Sequence, residues 1–304
     1  MPTSLSGLPK YQEILYRLFF LFRLTELARF CNRAKTMILC YHGITQRLGP
    51  DPEDRSAIAV DRSLFLSQLN YLKRHYNLIA LRDYLVARQS GKPLPRHSVI
   101  LTFDDGLRNF LTVTAPILKR LDLPATMFLV TDHVDARDRS TQSSDWTHLD
   151  DRISLSWGEA KTLKSTQRME FGSHTCSHPE LPQLTASIER EFRDSLRALR
   201  EKLQDSFPPS LAYPYGDYTE SIAAKARLAG YSCALTTEPG SNSMKIGLFQ
   251  LRRAVVRSYD TPEIFAARVS GLIGWLRILK DVLQRLSLPL VRVWDATFSQ
   301  CSSD

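Results

Sequence analysis

The sequence predicts an α/β fold in which a parallel sheet closes into one barrel with helices outside it. Three observations carry that expectation. Short β-rich runs alternate with helix-period stripes from residue 37 onward, the pattern of strands joined by crossover helices. Residues with chemistry in them, His42, Asp104, Asp105, His174 and Tyr215, follow the ends of different runs, and in an α/β barrel all the carboxyl ends of the strands open on one face. A chain of 304 residues with 43% hydrophobic content can bury one large core, and a barrel of that length is usually a single domain.

Strands are expected at 37–41, 78–80, 98–103, 125–130, 169–172, 210–213, 231–236 and 251–256. Between them Phe110, Leu111, Ile117, Leu118 and Leu121 recur at helical spacing, as do Ile188, Phe192, Leu196, Leu199 and Leu203; these stripes read as core. Loops are marked by Gly49-Pro50-Asp51-Pro52, by the polar stretch from Asp132 to Asp151, and by Phe207-Pro208-Pro209. No internal repeat or low-complexity tract interrupts the pattern. The division that follows is an amphipathic N-terminal helix in 1–35, a barrel in 36–260 and a helical extension in 261–304.

The two ends differ from the middle in charge. Residues 1–35 carry six Lys or Arg against two Glu, and residues 252–304 carry eight basic against five acidic side chains, so most of the formal +8 lies outside the barrel. A nucleic-acid enzyme would more often run its basic stripe across the working face, so nucleic acid is not an expected partner; basic ends suit an anionic surface, or serve as plain solubility charge. The segment Tyr11–Phe30 is amphipathic, with Phe19, Phe20 and Phe22 among Arg17, Arg23 and Arg29. That pattern fits a helix lying in a membrane interface, the competing reading being a helix docked on the barrel or used in dimerisation. The stretch Gly271–Leu290 has a similar stripe. Arg17 and Arg23 break the most apolar run far short of the roughly 20 residues of a membrane span and of a signal-peptide core. Five cysteines, Cys31, Cys40, Cys176, Cys233 and Cys301, form an odd set without CxxC spacing, which suggests neither a disulfide framework nor a thiolate zinc site and fits a reducing compartment. The expected location is cytoplasmic, peripheral on the inner membrane surface; the sequence leaves the oligomeric state open.

Two clusters carry the chemistry. Thr102-Phe103-Asp104-Asp105-Gly106 ends an apolar run, and Ser173-His174-Thr175-Cys176-Ser177-His178-Pro179 ends another. Alone, Asp-Gly is often a simple turn. Together with two imidazoles the aspartates divide two tasks, one carboxylate pinned to a divalent metal and the other free as general base. His174 and His178 are four apart, which on one helical turn projects both to one face, with Pro179 closing the turn. An Asp-His-His set keeps positions open for water and substrate, so the clusters point to metal-assisted hydrolysis. His133 and His148 accompany Asp145-Trp146 in the polar stretch, which can line a sugar groove or be an ordinary exposed loop; Cys176 is expected to point away from the metal, and His75 and His97 to lie on the surface.

LTFDDG, FGSHTCSHPEL and LAYPYGDY resemble the polysaccharide deacetylases of carbohydrate esterase family 4, the NodB homology domain, over roughly residues 36–260. The resemblance implies a distorted (β/α) barrel of about seven parallel strands and hydrolysis of N-acetyl or O-acetyl groups of a carbohydrate, with release of acetate. It implies Asp104 as the base, Asp105, His174 and His178 as metal ligands, and the backbone N–H of Tyr215 as an oxyanion donor. It implies one divalent ion, zinc foremost, with Co2+, Ni2+ or Mn2+ able to serve. Two positions depart from the family pattern. Ala212 stands where many members have an arginine that orients the base, and Phe249-Gln250-Leu251-Arg252-Arg253 replaces a region that often holds an acid histidine. Arg253 is the candidate replacement for the arginine. Cys40-Tyr41-His42-Gly43-Ile44 resembles the N-terminal YH motif of the biofilm poly-N-acetylglucosamine deacetylases, making His42 the candidate acid for the departing amine. The rival readings are a hydrolase of another non-peptide C–N bond on a small cyclic amide, and a non-catalytic glycan-binding or assembly protein.

Overall fold

A computed structural model describes residues 16–20, 22–46, 58–139, 153–166, 168–184, 188–205, 207 and 209–276. Seven strands make the barrel wall: β1 Met37–Tyr41, β2 Ser98–Phe103, β3 Ala125–Leu129, β4 Met169–Ser173, β5 Leu211–Ala212, β6 Ala234–Leu235 and β7 Ala254–Val255. All pair in parallel, in the order β7-β1-β2-β3-β4-β5-β6. Leu251 bridges Leu235 in parallel while Ala254 pairs with Leu39, so the segment 251–255 touches β6 with its start and β1 with its end. The sheet thereby curls into a distorted barrel, as the alternation predicts.

The strand ends set the shape. β1 and β2 match their expected bounds because each is buried on both faces, and such strands read as uninterrupted apolar runs. The expected strands 210–213 and 231–236 shrink to two residues each; the first stops because, after Tyr213, the chain enters a turn led by Pro214, which has no N–H to give a ladder. The strand expected at 78–80 is the pair Asn77–Leu78, beside the first residues of β2 where β3 does not reach.

Side-chain alternation sorts the wall into two environments. Met37, Leu39, Tyr41, Val99, Leu101 and Phe103 join the large core under the outer helices. Ile38, Ile100, Phe128, Ala212, Leu235 and Leu251, from strands all round the wall, form the interior plug with Leu81, Tyr84 and Leu85. Cys40, Thr102 and Asp104 continue that inward row beyond Ile38 and Ile100, so the interior turns polar toward the carboxyl ends.

The helices follow as α1 Leu24–Cys31, α2 Arg62–His75, α3 Leu81–Ser90, α4 Ala115–Arg120, α5 Thr131–Arg139, α6 Trp157–Thr166, α7 Ile188–Leu203, α8 Glu220–Ala229 and α9 Pro262–Val269. Asp61, Thr219 and Thr261 cap α2, α8 and α9 with side-chain oxygens. The stripe on α7 is buried at every predicted position, Ile188, Phe192, Leu196, Leu199 and Leu203. The stripe from Phe110 divides, a π-helical turn at Phe110–Thr114 leading into α4. The polar stretch expected as loop from Asp132 begins instead as α5, anchored by buried Thr131 and Val134; a single apolar side chain per turn hides such a helix from periodicity. His148 and Asp145-Trp146 lie outside the described residues, as does the Gly49-Pro50-Asp51-Pro52 loop.

The N-terminal segment docks on the C-terminal one. Tyr16 and Ala28 are buried against Ile264, Ala267 and Leu272, and Asn32 Nδ2 donates to Ser270 O at 2.9 Å. The other side is bare, with Leu18, Phe20, Phe22, Leu27 and Phe30 exposed, Phe22 by 70%. α1 leads directly into the amino end of β1, the end opposite Asp104. Among the described residues no helix is long and apolar enough to cross a membrane.

Candidate metal centre

Two adjacent carboxylates leave β2 in opposite directions. Asp104 N–H still donates to Tyr41 O at 2.9 Å, so Asp104 stays on the inward row and is 2% exposed. Asp105 and Gly106 then both take positive φ, 69° and 67°, which swings the Asp105 carboxylate up to the rim. A Cβ on Gly106 would meet Leu129 Cδ2 at 2.8 Å, so only glycine completes this turn.

The histidines come from the end of β4. His174 N–H donates to Leu129 O at 2.8 Å, and Nδ1 lies 2.8 Å from Ala212 O; since a carbonyl only accepts, Nδ1 carries the proton and Nε2 presents its lone pair. The expected helical turn between His174 and His178 is absent. Thr175 and His178 have φ 68° and 60°, and the loop bends back so that both rings meet edge to face, 4.7 Å apart. Sequence spacing read the convergence correctly and its backbone wrongly.

His174 Nε2 and His178 Nε2 stand 3.5 and 3.7 Å from Asp105 Oδ1. Ligands at zinc-type distances of about 2.1 Å in a tetrahedron sit about 3.4 Å from one another, so these three atoms have the spacing a small divalent ion needs. Burial, reinforced by the neighbouring His174, pushes the His178 imidazole down to about 4, which keeps its lone pair free at neutral pH. The residues present therefore fit a divalent metal: two imidazoles and one carboxylate, with one side open.

Beneath them lies a buried ion pair. Arg253 is fully buried and grips Asp104 with both ends of its fork, Nη1 to Oδ1 and Nη2 to Oδ2, each at 2.7 Å, while Nε donates to Thr236 O at 2.9 Å. The Cys40 thiol donates to Asp104 Oδ2 at 3.3 Å. Burial works to raise the Asp104 pKa, but the Arg253 guanidinium and the nearby histidine outweigh it and hold the carboxyl well below the usual range. Asp104 is thus a fixed anion, 3.9 Å from His174 Nε2, oriented by an arginine from the barrel seam and not from the position of Ala212.

His42 joins this group: one ring nitrogen, Cys40 Sγ and an Asp104 oxygen lie within 4.8 Å of one another. Its Nδ1 is buried without a hydrogen-bond partner, and burial lowers its pKa against the raising pull of Asp105 and Asp104. Tyr215 sits in the turn Pro214–Gly216 with φ 60°. The hydrogen bonds of that turn run from Gly216 N–H to Tyr213 O and from Asp217 N–H to Pro214 O, leaving the Tyr215 N–H outside the ladder. Its ring is 54% exposed and lies 4.8 Å from the His178 ring, edge to face. A Cβ on Gly216 would fall 2.1 Å from Thr237 Oγ1, so glycine is what lets this turn close on the rim.

Other histidines and cysteines stay apart. His133 is exposed on α5 and His75 on α2. His97 is half-buried, not a plain surface residue, because its turn at φ 56° folds it toward Tyr76. Cys176 points its thiol at Glu191 O, 3.5 Å away, and burial pushes that thiol up to about 11. Sequence reasoning missed Cys40 as a partner of Asp104, although its position two before His42 on the inward row was a usable signal. It also missed Glu191, which accepts hydrogen bonds from the loop between the histidines and lies on the polar side of an amphipathic helix, where no pattern marks it.

Comparison with known proteins agrees with this geometry. Residues 91–234 match the family model for polysaccharide deacetylase, a span that holds Asp104, Asp105, His174, His178 and Tyr215 but neither His42 nor Arg253. The chain is 24% identical over 241 residues to YxkH of Bacillus subtilis, whose name assigns it provisionally to the polysaccharide deacetylases, covering 79% of this chain and 77% of that one. It is 29% identical over 202 residues to the poly-β-1,6-N-acetyl-D-glucosamine N-deacetylase of Staphylococcus aureus (strain MSSA476), covering 62% of this chain and 66% of that protein. Among solved structures it superposes on the Streptococcus pyogenes deacetylase PplD in complex with acetate, with TM-score 0.65 and 27% identity, over 77% of this chain and 98% of the other. IcaB from Ammonifex degensii shares the fold, with TM-score 0.60 and 22% identity, over 78% and 97%. Its segment 91–234 is thus similar to the polysaccharide deacetylase family, and the barrel built around that segment has the fold of the deacetylase PplD.

Proposed function

We propose that this protein removes N-acetyl groups from a carbohydrate chain by metal-assisted hydrolysis. The observation that carries the reading is the split between neighbouring carboxylates: Asp105 faces two imidazole lone pairs at metal-ligand spacing, while Asp104 is held ionised beside them by Arg253. A divalent ion held by Asp105, His174 and His178, zinc foremost, would polarise the acetyl carbonyl and lower the pKa of a water. Asp104 takes the proton of the attacking water, its lone pairs aimed by the Arg253 fork and the Cys40 thiol. The Tyr215 N–H donates to the carbonyl oxygen as negative charge gathers there. His42 gives a proton to the nitrogen as the C–N bond breaks, so that acetate and a free amine leave.

The exposed Tyr215 ring makes the rim open, which suits a sugar polymer better than a small cyclic amide. The S. aureus relative acts, by its name, on poly-β-1,6-N-acetyl-D-glucosamine, and the YH motif supports a substrate of the same N-acetylglucosamine kind. Residues 36–260 are taken as the catalytic unit, flanked by the two extensions. The bare side of the N-terminal segment, with Phe20, Phe22 and Phe30 among Arg17, Arg23 and Arg29, is proposed to rest on an anionic membrane surface on its cytoplasmic side. Because α1 enters the amino end of β1, docking there turns the metal end away from the bilayer.

The test is acetate release from N-acetylglucosamine oligomers by the metal-loaded protein. Release that chelator abolishes and Asp104→Asn suppresses is the expected result; no release from any N-acetylated glycan would overturn the reading.

A further inference from the structure

We infer that Glu191, on α7, is the positioning residue that sets the spacing of the two metal histidines; the inference rests on the metal site proposed above. The chain between His174 and His178 is braced at its two ends, where Thr175 N–H donates to Ser173 Oγ at 3.0 Å and His178 N–H to Thr175 Oγ1 at 3.1 Å, but not at its apex. Thr175 and His178 both occupy the left-handed region, which a β-branched residue such as Thr enters only at a cost and only where surroundings enforce it. With no helix between them, the amides at the apex of the loop need acceptors from elsewhere.

Glu191 provides them. Its Oε2 accepts from the N–H of Cys176 at 2.8 Å and of Ser177 at 3.0 Å, and its Oε1 accepts from Ser177 Oγ at 2.9 Å. Two successive amides aimed at one carboxylate form an anion-binding concavity, and such charge-assisted bonds are roughly twice as strong as neutral ones. The opposite side of the same peptide units is held by α5, whose Thr131 and Asp132 N–H groups donate to Thr175 O and Cys176 O at 3.2 and 3.0 Å. The apex is clamped between two helices, and Glu191 is the charged jaw. α7 is itself fixed to the end of β4 through Ser195, whose hydroxyl accepts from Ser173 Oγ at 3.0 Å and meets Tyr231 OH at 2.7 Å. Removing the carboxylate leaves three donors without their acceptor at a strained loop, and the loop relaxes by moving His178 away from His174 and Asp105. Glu191 touches neither metal nor substrate in this account and acts through the loop alone.

The experiment measures Co2+ binding to the metal-free protein by chelator competition, together with the visible absorption spectrum of the bound ion, in wild type, Glu191→Ala, Glu191→Gln and Ser177→Ala. Second-sphere partners of metal ligands are typically worth about 10–100-fold in affinity, so Glu191→Ala is expected to weaken Co2+ binding by that amount and to alter its spectrum. Glu191→Gln, which keeps one carbonyl acceptor but sets an NH2 against the remaining donors, should fall in between. Ser177→Ala, which removes one neutral donor and spares both amides, should stay within about threefold. Circular dichroism of the metal-free variants separates loss of fold from loss of the site, and the Glu191→Gln and Ser177→Ala pair carries the test if Glu191→Ala does not fold. Folded Glu191 variants that bind Co2+ within twofold of wild type, with its spectrum, overturn the inference and leave the metal reading standing. A folded wild type that binds no Co2+ overturns both.

Discussion

Asp104 and Asp105 share a peptide bond and almost nothing else. Asp104 lies at the end of the inward row, buried and locked by Arg253; Asp105, one residue on, has turned through a left-handed backbone to stand part-exposed between two imidazoles. The contrast shows how one short motif places the same side chain in two environments. A strand's period of two fixes the first, and a glycine-assisted turn fixes the second. Distance alone does not separate the two carboxylates, since Asp104 Oδ2 is only 3.9 Å from His174 Nε2. The Arg253 fork separates them, because it holds both oxygens of Asp104 and neither of Asp105.

The comparison can be broken most forcefully at Asp104. Asp104→Asn should lower kcat by about 10²–10⁴, the range of a positioned general base, in an acetate-release assay with KM little changed. A loss below tenfold would place the base elsewhere. Arg253→Gln comes next. It leaves Asp104 buried without its cation, and breaking a buried pair from one side costs about 3–5 kcal/mol of stability. Thermal unfolding should show the double variant Asp104→Asn/Arg253→Gln less destabilised than the sum of the singles, and strict additivity would deny the coupling. His42→Asn should cost about 10²-fold or more on an N-acetyl substrate and much less on an aryl ester whose leaving group needs no proton. Equal losses on both would remove His42 as the acid.

The smallest effect concerns pH. The folded His178 imidazole is pushed down to about 4, below the ordinary value of about 6.5. Between those values the unfolded chain binds more protons than the folded one, so stability rises with pH. In the metal-free protein this contribution is complete above about 6.5 and is lost as pH falls toward 4. Wild type should therefore lose Tm on acidification through that window more steeply than His178→Gln; identical slopes would contradict the shift.

The sequence was legible where one physical signal dominates. β1 and β2 kept their bounds because both faces are apolar, and the α7 stripe was buried throughout. The site was legible as a set of strand ends, which is why His42, Asp104, Asp105, His174 and Tyr215 could be brought to one rim in advance. The backbone between the histidines was not, since an i, i+4 spacing suits a helical turn and nothing in Thr175 or His178 announces positive φ. Two amides of that loop are held by Glu191 on the next α-helix along the chain, a tertiary contact that local spacing does not announce. Arg253 was reachable only as a residue standing where the family pattern left a vacancy; its grip on Asp104 comes from closure of the barrel, a long-range fact. Cys40 was legible from strand alternation, which sets it on the same inward row as Thr102 and Asp104.

The division of labour between the neighbouring aspartates is tested most directly by metal content. Purified Asp104→Asn and Asp105→Asn are loaded with zinc, passed through a desalting column and analysed for metal per chain. The account predicts close to one ion per chain for Asp104→Asn, with turnover lost, and little or none for Asp105→Asn. An Asp105→Asn protein that keeps its ion, or an Asp104→Asn protein that loses it while remaining folded, would contradict it.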